Sequence, residues 1–160
     1  MEATINWLES TPIHSFMIET PWAFPANETL HFMGLTLLIG SILVVDLRGM
    51  GMLRAIPFTH AHKLISLAIA GFSINLITGI LFLFADPSRY FVNVGFRWKM
   101  VVVVLAGLNA LAFEYFVFRK VRAGDPAAEF SMTAKVTSAL SIVFWFTVLV
   151  LGRFMPYVEF

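Results

Sequence analysis

Four histidines, eight methionines and no cysteine limit the chemistry open to this chain of 160 residues. Without thiols there is no disulfide framework, thiolate metal site, iron–sulfur cluster or thioether-attached haem; any metal or haem must be held by His, Met, carboxylate or backbone. His31 stands out, in the stretch "ANETLHFMGLTLLIGSILVVDLRGMG". It follows Glu28 by one helical turn, and the stripe through it continues along Leu35, Leu38, Ile42 and Val45. An ionisable group in so apolar a run costs free energy and marks a site when it faces a bundle interior. One reading makes His31 an axial haem ligand or metal ligand. The other makes it an interfacial histidine bonded to Glu28 or to a backbone carbonyl.

The other histidines are read against that one. His14 lies in "INWLESTPIHSFMIETPWAF", too polar to span a membrane. His60 and His62, two residues apart, point about 200° apart on a helix and cannot serve one ligand from the same face. His60 shares its stripe with Leu64, Leu67, Gly71, Asn75 and Thr78, so it is expected inside and His62, beside Lys63, at the headgroups. His31 and His60 should sit near opposite ends of their helices, about 25 Å apart. A histidine partner for His31 within the chain is therefore His14. A partner for His60 is His62, Met50, Met52 or a residue of another subunit. Arg153 is placed to pair with Glu28 or with a haem propionate. An outer copper site would draw on His14, His31, Met17, Met33 and Met155, since imidazole and thioether suit Cu(I). Asn109 is expected to bond across helices, and Glu114 to pair with Arg119 or a neighbouring arginine.

The elements that must position these residues follow from composition. The chain is 59% hydrophobic and only 13% charged, with a mean hydropathy of +0.82, well beyond soluble domains. This is the composition of an all-α integral membrane protein, a single domain over residues 1–160. The formal net charge of +1 gives no argument for nucleic acid. Four stretches are long and apolar enough to span: about 29–46, 64–85, 100–118 and 132–151. Gly49, Gly51 and Pro57, then Asp86-Pro87-Ser88, then Gly124-Asp125-Pro126 break the chain between them. Short connections predict an up-down four-helix bundle. Residues 1–26 contain no Lys or Arg and are not a signal peptide; they are expected as a short amphipathic helix at the outer interface, docked on the bundle.

With the N-terminus outside, the inner cations are Arg48, Arg54, Lys63, Arg119, Lys120, Arg122 and Lys135, and the outer ones Arg89, Arg97, Lys99 and Arg153. That excess inside predicts both termini on the outer, periplasmic face of the bacterial inner membrane. Tyr90, Trp98 and Tyr157 would complete an outer aromatic belt. Gly71, Gly79, Gly107 and Gly152 would allow close helix contacts within or between subunits, consistent with a homo-oligomer.

The segments "PWAFPANETLHFMG", "DLRGMG", "GFSINLITGILF", "ADPSRYFVNVGFRWK" and "LAGLNALAF" resemble a family of small bacterial four-helix membrane proteins catalogued as a domain of unknown function. The core "LHFMGLTLLIG" is also similar to the opening helix of copper-resistance D-like proteins and, more loosely, of membrane b-type cytochromes. The resemblance implies a membrane bundle in which the His31 position is a candidate ligand, and brings no established activity. In the cytochrome-like groups each haem has two histidines from facing helices; here the third and fourth spans carry none. The expectation is a b-type haem protein for electron transfer or redox sensing, non-enzymatic, with an unknown redox partner. The alternatives are copper or small-solute handling and a cofactor-free assembly subunit.

Overall fold

The structure, a computed structural model, describes residues 2–157. Among them every regular element is a helix, without a strand. Two short helices, α1 (Glu2–Glu9) and α2 (Pro12–Glu19), precede the long α3 (Ala23–Gly49) and α4 (Phe58–Ala85). The short α5 (Pro87–Val92) leads into α6 (Val94–Phe113), which passes through a π-helical turn (Glu114–Phe118) into α7 (Arg119–Arg122). A 3-10 turn (Pro126–Phe130) precedes α8 (Met132–Phe154). Four helices, Ala23–Gly49, Phe58–Ala85, Val94–Arg122 and Met132–Phe154, are long and apolar enough to cross a membrane.

The expected breaks are real, and Asp86 and Asp125 within them, like Asn93 and Ser131 beyond them, cap the helices that follow. Asp86 accepts from the Arg89 N–H (3.2 Å) and Asn93 from the Phe96 N–H (3.1 Å). Asp125 accepts from Ala127 (3.1 Å) and Ser131 from Ala134 (3.1 Å). Each satisfies one of the donors that a helix start leaves without an intrahelical acceptor. Gly51 and Gly124 take φ of +85° and +101°, which only glycine adopts without strain. The helices run past the apolar stretches that announced them. α4 begins six residues before Leu64 and α6 six before Met100, because charged and polar residues at a helix end interrupt hydropathy without interrupting backbone hydrogen bonds. The N-terminal segment likewise forms two helices, separated at Ser10-Thr11, where Thr11 caps α2 ahead of Pro12.

Three apolar clusters form the core. Val45, Phe58, Phe113, Val117, Phe118 and Ala134 close one end. Leu38, Ala68, Ala106, Trp145 and Val148 fill the middle. Met17, Ala23 and Ala85 seat α2 at the other end, so the N-terminal segment docks on the bundle as expected. Many large apolar side chains face outward instead, among them Leu76, Ile77, Val104, Leu108, Val143 and Phe146. Such a surface suits lipid and is far larger than a soluble monomer exposes.

α3 and α4 approach backbone to backbone at Gly34 and Gly71. A Cβ on Gly71 would stand 2.6 Å from both the Gly34 carbonyl oxygen and the Leu38 nitrogen. Gly152 packs on Lys99, whereas a Cβ on Gly79 or Gly107 meets nothing within 4 Å. Of the four glycines expected at helix contacts, two are thus used within the chain and two face open space.

Candidate functional site

The site is built around His31, where residues early in α3 meet residues late in α4. Its Nδ1 lies 2.7 Å from Thr78 Oγ1, and that hydroxyl donates its own hydrogen to the Ile74 carbonyl at 2.7 Å. With its proton committed, the Thr78 oxygen accepts from His31, so Nδ1 carries the ring proton and Nε2 keeps its lone pair. A hydrogen bond to one nitrogen fixing the other for a ligand is how proteins orient ligating imidazoles. The surrounding backbone is held equally firmly. Asn75, with its amide oriented to satisfy both ends, donates to the His31 carbonyl (2.7 Å) and accepts from the Leu35 N–H (3.0 Å). Asn27 donates to the Thr78 carbonyl (3.0 Å). The Phe82 ring meets the His31 ring edge-on, 5.4 Å between centroids, and Phe24 packs on Phe82 in turn.

His14 is held in the same manner. Its Nδ1 lies 2.8 Å from the Phe84 carbonyl oxygen; a carbonyl only accepts, so Nδ1 again donates and Nε2 is free. Thr78 and Phe84 stand six residues apart on α4, about 9 Å along its axis. Both histidines therefore belong to the same end of the molecule, each tied to α4 through Nδ1.

Other expected partners are rearranged. Glu28 is exposed, and Thr78 rather than Glu28 orients His31. The field of Glu28 reaches Tyr90 instead: burial raises the Tyr90 hydroxyl pKa above its ordinary value, Arg89 opposes, and Asp86 and Glu28 add to the rise. Arg153 turns to Tyr157, with Nη1 3.3 Å from the phenolic oxygen and the guanidinium over the ring, so it does not pair with Glu28. Lys99, expected among the outer cations, is drawn into the molecule. It lies in α6, half-buried, against Gly152.

At the other end the two neighbouring histidines exchange the faces expected of them. His60 is exposed; His62 turns inward, its Nε2 2.8 Å from Glu114 Oε2 and its ring flat on Phe118. The buried seam of α4 runs through Ala61, Ala68, Gly71, Thr78 and Ala85. Its spacing of seven drifts about 20° per heptad against a straight 3.6-residue stripe, so a stripe drawn back from Gly71 lands on His60 when the seam has moved to Ala61. Glu114 thus takes His62, and Arg119 lies over Tyr115. Asn109 does bond across helices, to the Thr137 carbonyl at 2.8 Å.

Among the described residues no three His, Cys, Asp or Glu side chains gather to hold a metal ion. Nor do the methionines converge: Met17 is buried against Ala23 and Ala85, while Met33 is 62% exposed. The arrangement is an apolar four-helix protein with two imidazole Nε2 atoms left available at one end. Residues 22–158 match a family of unknown function (DUF6644), and the chain belongs to that family. No curated protein and no solved structure matches the chain. Family membership carries no activity, and it lends nothing to the likeness of the first long helix to copper-resistance or cytochrome proteins.

Proposed function

We propose that the chain is a multi-pass protein of the bacterial inner membrane, an up-down bundle with both termini outside, in which His31 ligates a haem b for electron transfer or redox sensing. The observation that carries this reading is the Thr78–His31 hydrogen bond, which leaves Nε2 with its lone pair beside the apolar edge of Phe82. The donor chemistry fits: a neutral imidazole with its distal nitrogen held by a neutral acceptor is a haem ligand of ordinary strength. His14, tethered to Phe84 in the same way, is the second ligand. Haem, when bound, supplies a one-electron couple. If it were held there, Thr78 would fix the ligand ring and the apolar edge of Phe82, backed by Phe24, would flank it.

The membrane reading rests on the four apolar helices and the outward-facing Leu, Ile, Val and Phe side chains. The side of each terminus rests on the cation asymmetry of the connections. Haem content of the purified variants tests the site: His31→Ala should lose the haem, and His14→Ala should weaken it or change its spin state. Unchanged stoichiometry and spectrum in His31→Ala would remove His31 as a ligand.

A second reading, a cofactor-free assembly subunit, is favoured by a groove of about 720 Å³ along the outer face of α3. Thr36 and Gly40 there would let another helix approach closely. That reading expects colourless protein and a stoichiometric co-purifying membrane protein.

A further inference from the structure

The outward face of the third long helix is apolar until its last turns, where it becomes cationic. Val104, Leu108, Leu111 and Tyr115 are all exposed. They follow one another at intervals of three and four residues, which places them on one stripe. Arg119 and Arg122 come next, exposed and one turn apart in α7. Leu111, Tyr115, Arg119 and Arg122, with Glu114 and Ala123, line a hollow of about 630 Å³. It is built across the π-helical turn Glu114–Phe118, an irregularity frequent at functional sites.

The charges of this lining do not cancel among themselves. Glu114, its single carboxylate, is already engaged: Oε2 lies 2.8 Å from His62 Nε2, and that ring is stacked on Phe118. The arginines are not spent on acids. Arg119 lies over the Tyr115 ring, 5.4 Å from guanidinium carbon to centroid. Among the described residues the side-chain ion pairs are Arg48–Glu129 and His62–Glu114, so neither Arg119 nor Arg122 has an acidic partner. Two guanidinium groups therefore face one hollow at the end of an apolar stripe.

We propose that this hollow binds the phosphate head of an anionic phospholipid. Arg119 and Arg122 hold the phosphate, and an acyl chain lies along Tyr115, Leu111 and Leu108. Side chains one turn apart on a helix are neighbours and can reach one phosphate together, which guanidinium forks match in shape and charge. The hollow has about twenty times a water molecule's share of the liquid, about 30 Å³, far more than a bare ion fills. Inorganic phosphate would satisfy the arginines and leave the stripe uncovered; an amphiphile covers both. Basic pockets at the cytoplasmic ends of membrane helices are suited to anionic headgroups. The inference rests on the membrane placement proposed above and is independent of any haem.

The test is the melting temperature of the full chain in neutral detergent micelles at constant ionic strength. The probes are added phosphatidylglycerol, phosphatidylcholine or inorganic phosphate. Phosphatidylglycerol should raise it by about 5–10 °C at a hundredfold excess over the dissociation constant, and the other two should not. The rise should vanish when Arg119→Gln and Arg122→Gln are combined and shrink in either alone. It should persist in Lys120→Gln with Lys135→Gln, which removes two cations outside the hollow. Equal melting with the two lipids overturns the proposal, as does a rise that survives in the double arginine variant or is lost equally in the lysine one. An equal rise with inorganic phosphate also overturns it, because the ligand is then a free anion. If the double arginine variant does not fold, the single variants decide. A chain that sediments with membranes yet ignores phosphatidylglycerol fails this proposal alone, whereas one recovered in the soluble fraction removes the membrane reading as well.

Discussion

Thr78 decides which nitrogen of His31 is free, and it does so because its own hydrogen is spent on Ile74. Thr78→Val keeps the shape and removes the acceptor, leaving the His31 Nδ1–H without a partner. The fold should lose about 1–2 kcal/mol, and, on the proposed function, haem affinity should fall about 10- to 100-fold with His31 still in place. Titration of apoprotein with haem checks this, and affinity equal to wild type would separate Thr78 from the ligand. Arg48 gives a second expectation at this scale. Arg48 is 4% exposed, and its guanidinium joins the end of α3 to the α3–α4 connection and to Glu129. Glu129→Gln strands a buried cation, so stability should drop by about 3–5 kcal/mol, read by denaturation in mixed micelles. A loss below 1 kcal/mol would mean that solvent reaches Arg48. Arg48 was legible in the sequence only as one more inner cation, since nothing in its neighbours announces that it is buried.

Between elements, the α3–α4 contact depends on two glycines meeting face to face. Gly71→Ala puts a methyl against the Gly34 carbonyl and the Leu38 backbone, and the helices must part. It should cost about 1–3 kcal/mol and displace Thr78 from His31 on the next turns. Gly79→Ala, which meets nothing within 4 Å, should be neutral or slightly stabilising through helix propensity. Thermal melts of the two variants check the contrast, and equal effects would contradict the packing. This is also the scale at which sequence and structure agree best. Apolar length located all four long helices, Asp86, Gly124 and Asp125 located breaks, and the Gly71–Asn75–Thr78 stripe was read as bundle-facing. Where the reading failed, the physical causes are specific. Helix ends overran the apolar windows through Lys63 and Lys99, and the seam drifted off the His60 stripe to favour His62. The π-helical turn at Glu114–Phe118 left no signal in a run that reads as plain apolar helix.

For the whole molecule, four apolar helices are compatible with a multi-pass membrane protein, and the proposed orientation, with both termini outside, is open to a direct test. A periplasm-active reporter fused after Phe160 should be active, and one inserted at Gly124 should be silent; the reverse pattern would invert the topology. The site at this scale was only half legible. His31 and His14 could be singled out because ionisable residues are rare in such a chain. Their orientation could not, because it depends on Thr78 and on a backbone carbonyl at Phe84, groups that look the same in any helix. Glu28 and Arg153, which carry charge and so attract notice, turned out to face elsewhere.

Whether the Nε2 of His31 holds a haem, as proposed, is decided by the reduced-minus-oxidised absorption spectrum of the purified full chain. A Soret band that shifts and sharpens on dithionite reduction, with the α and β bands of a b-type haem, is expected. Protein expressed with ample haem, folded by its melting curve and yet colourless in both states, would contradict it.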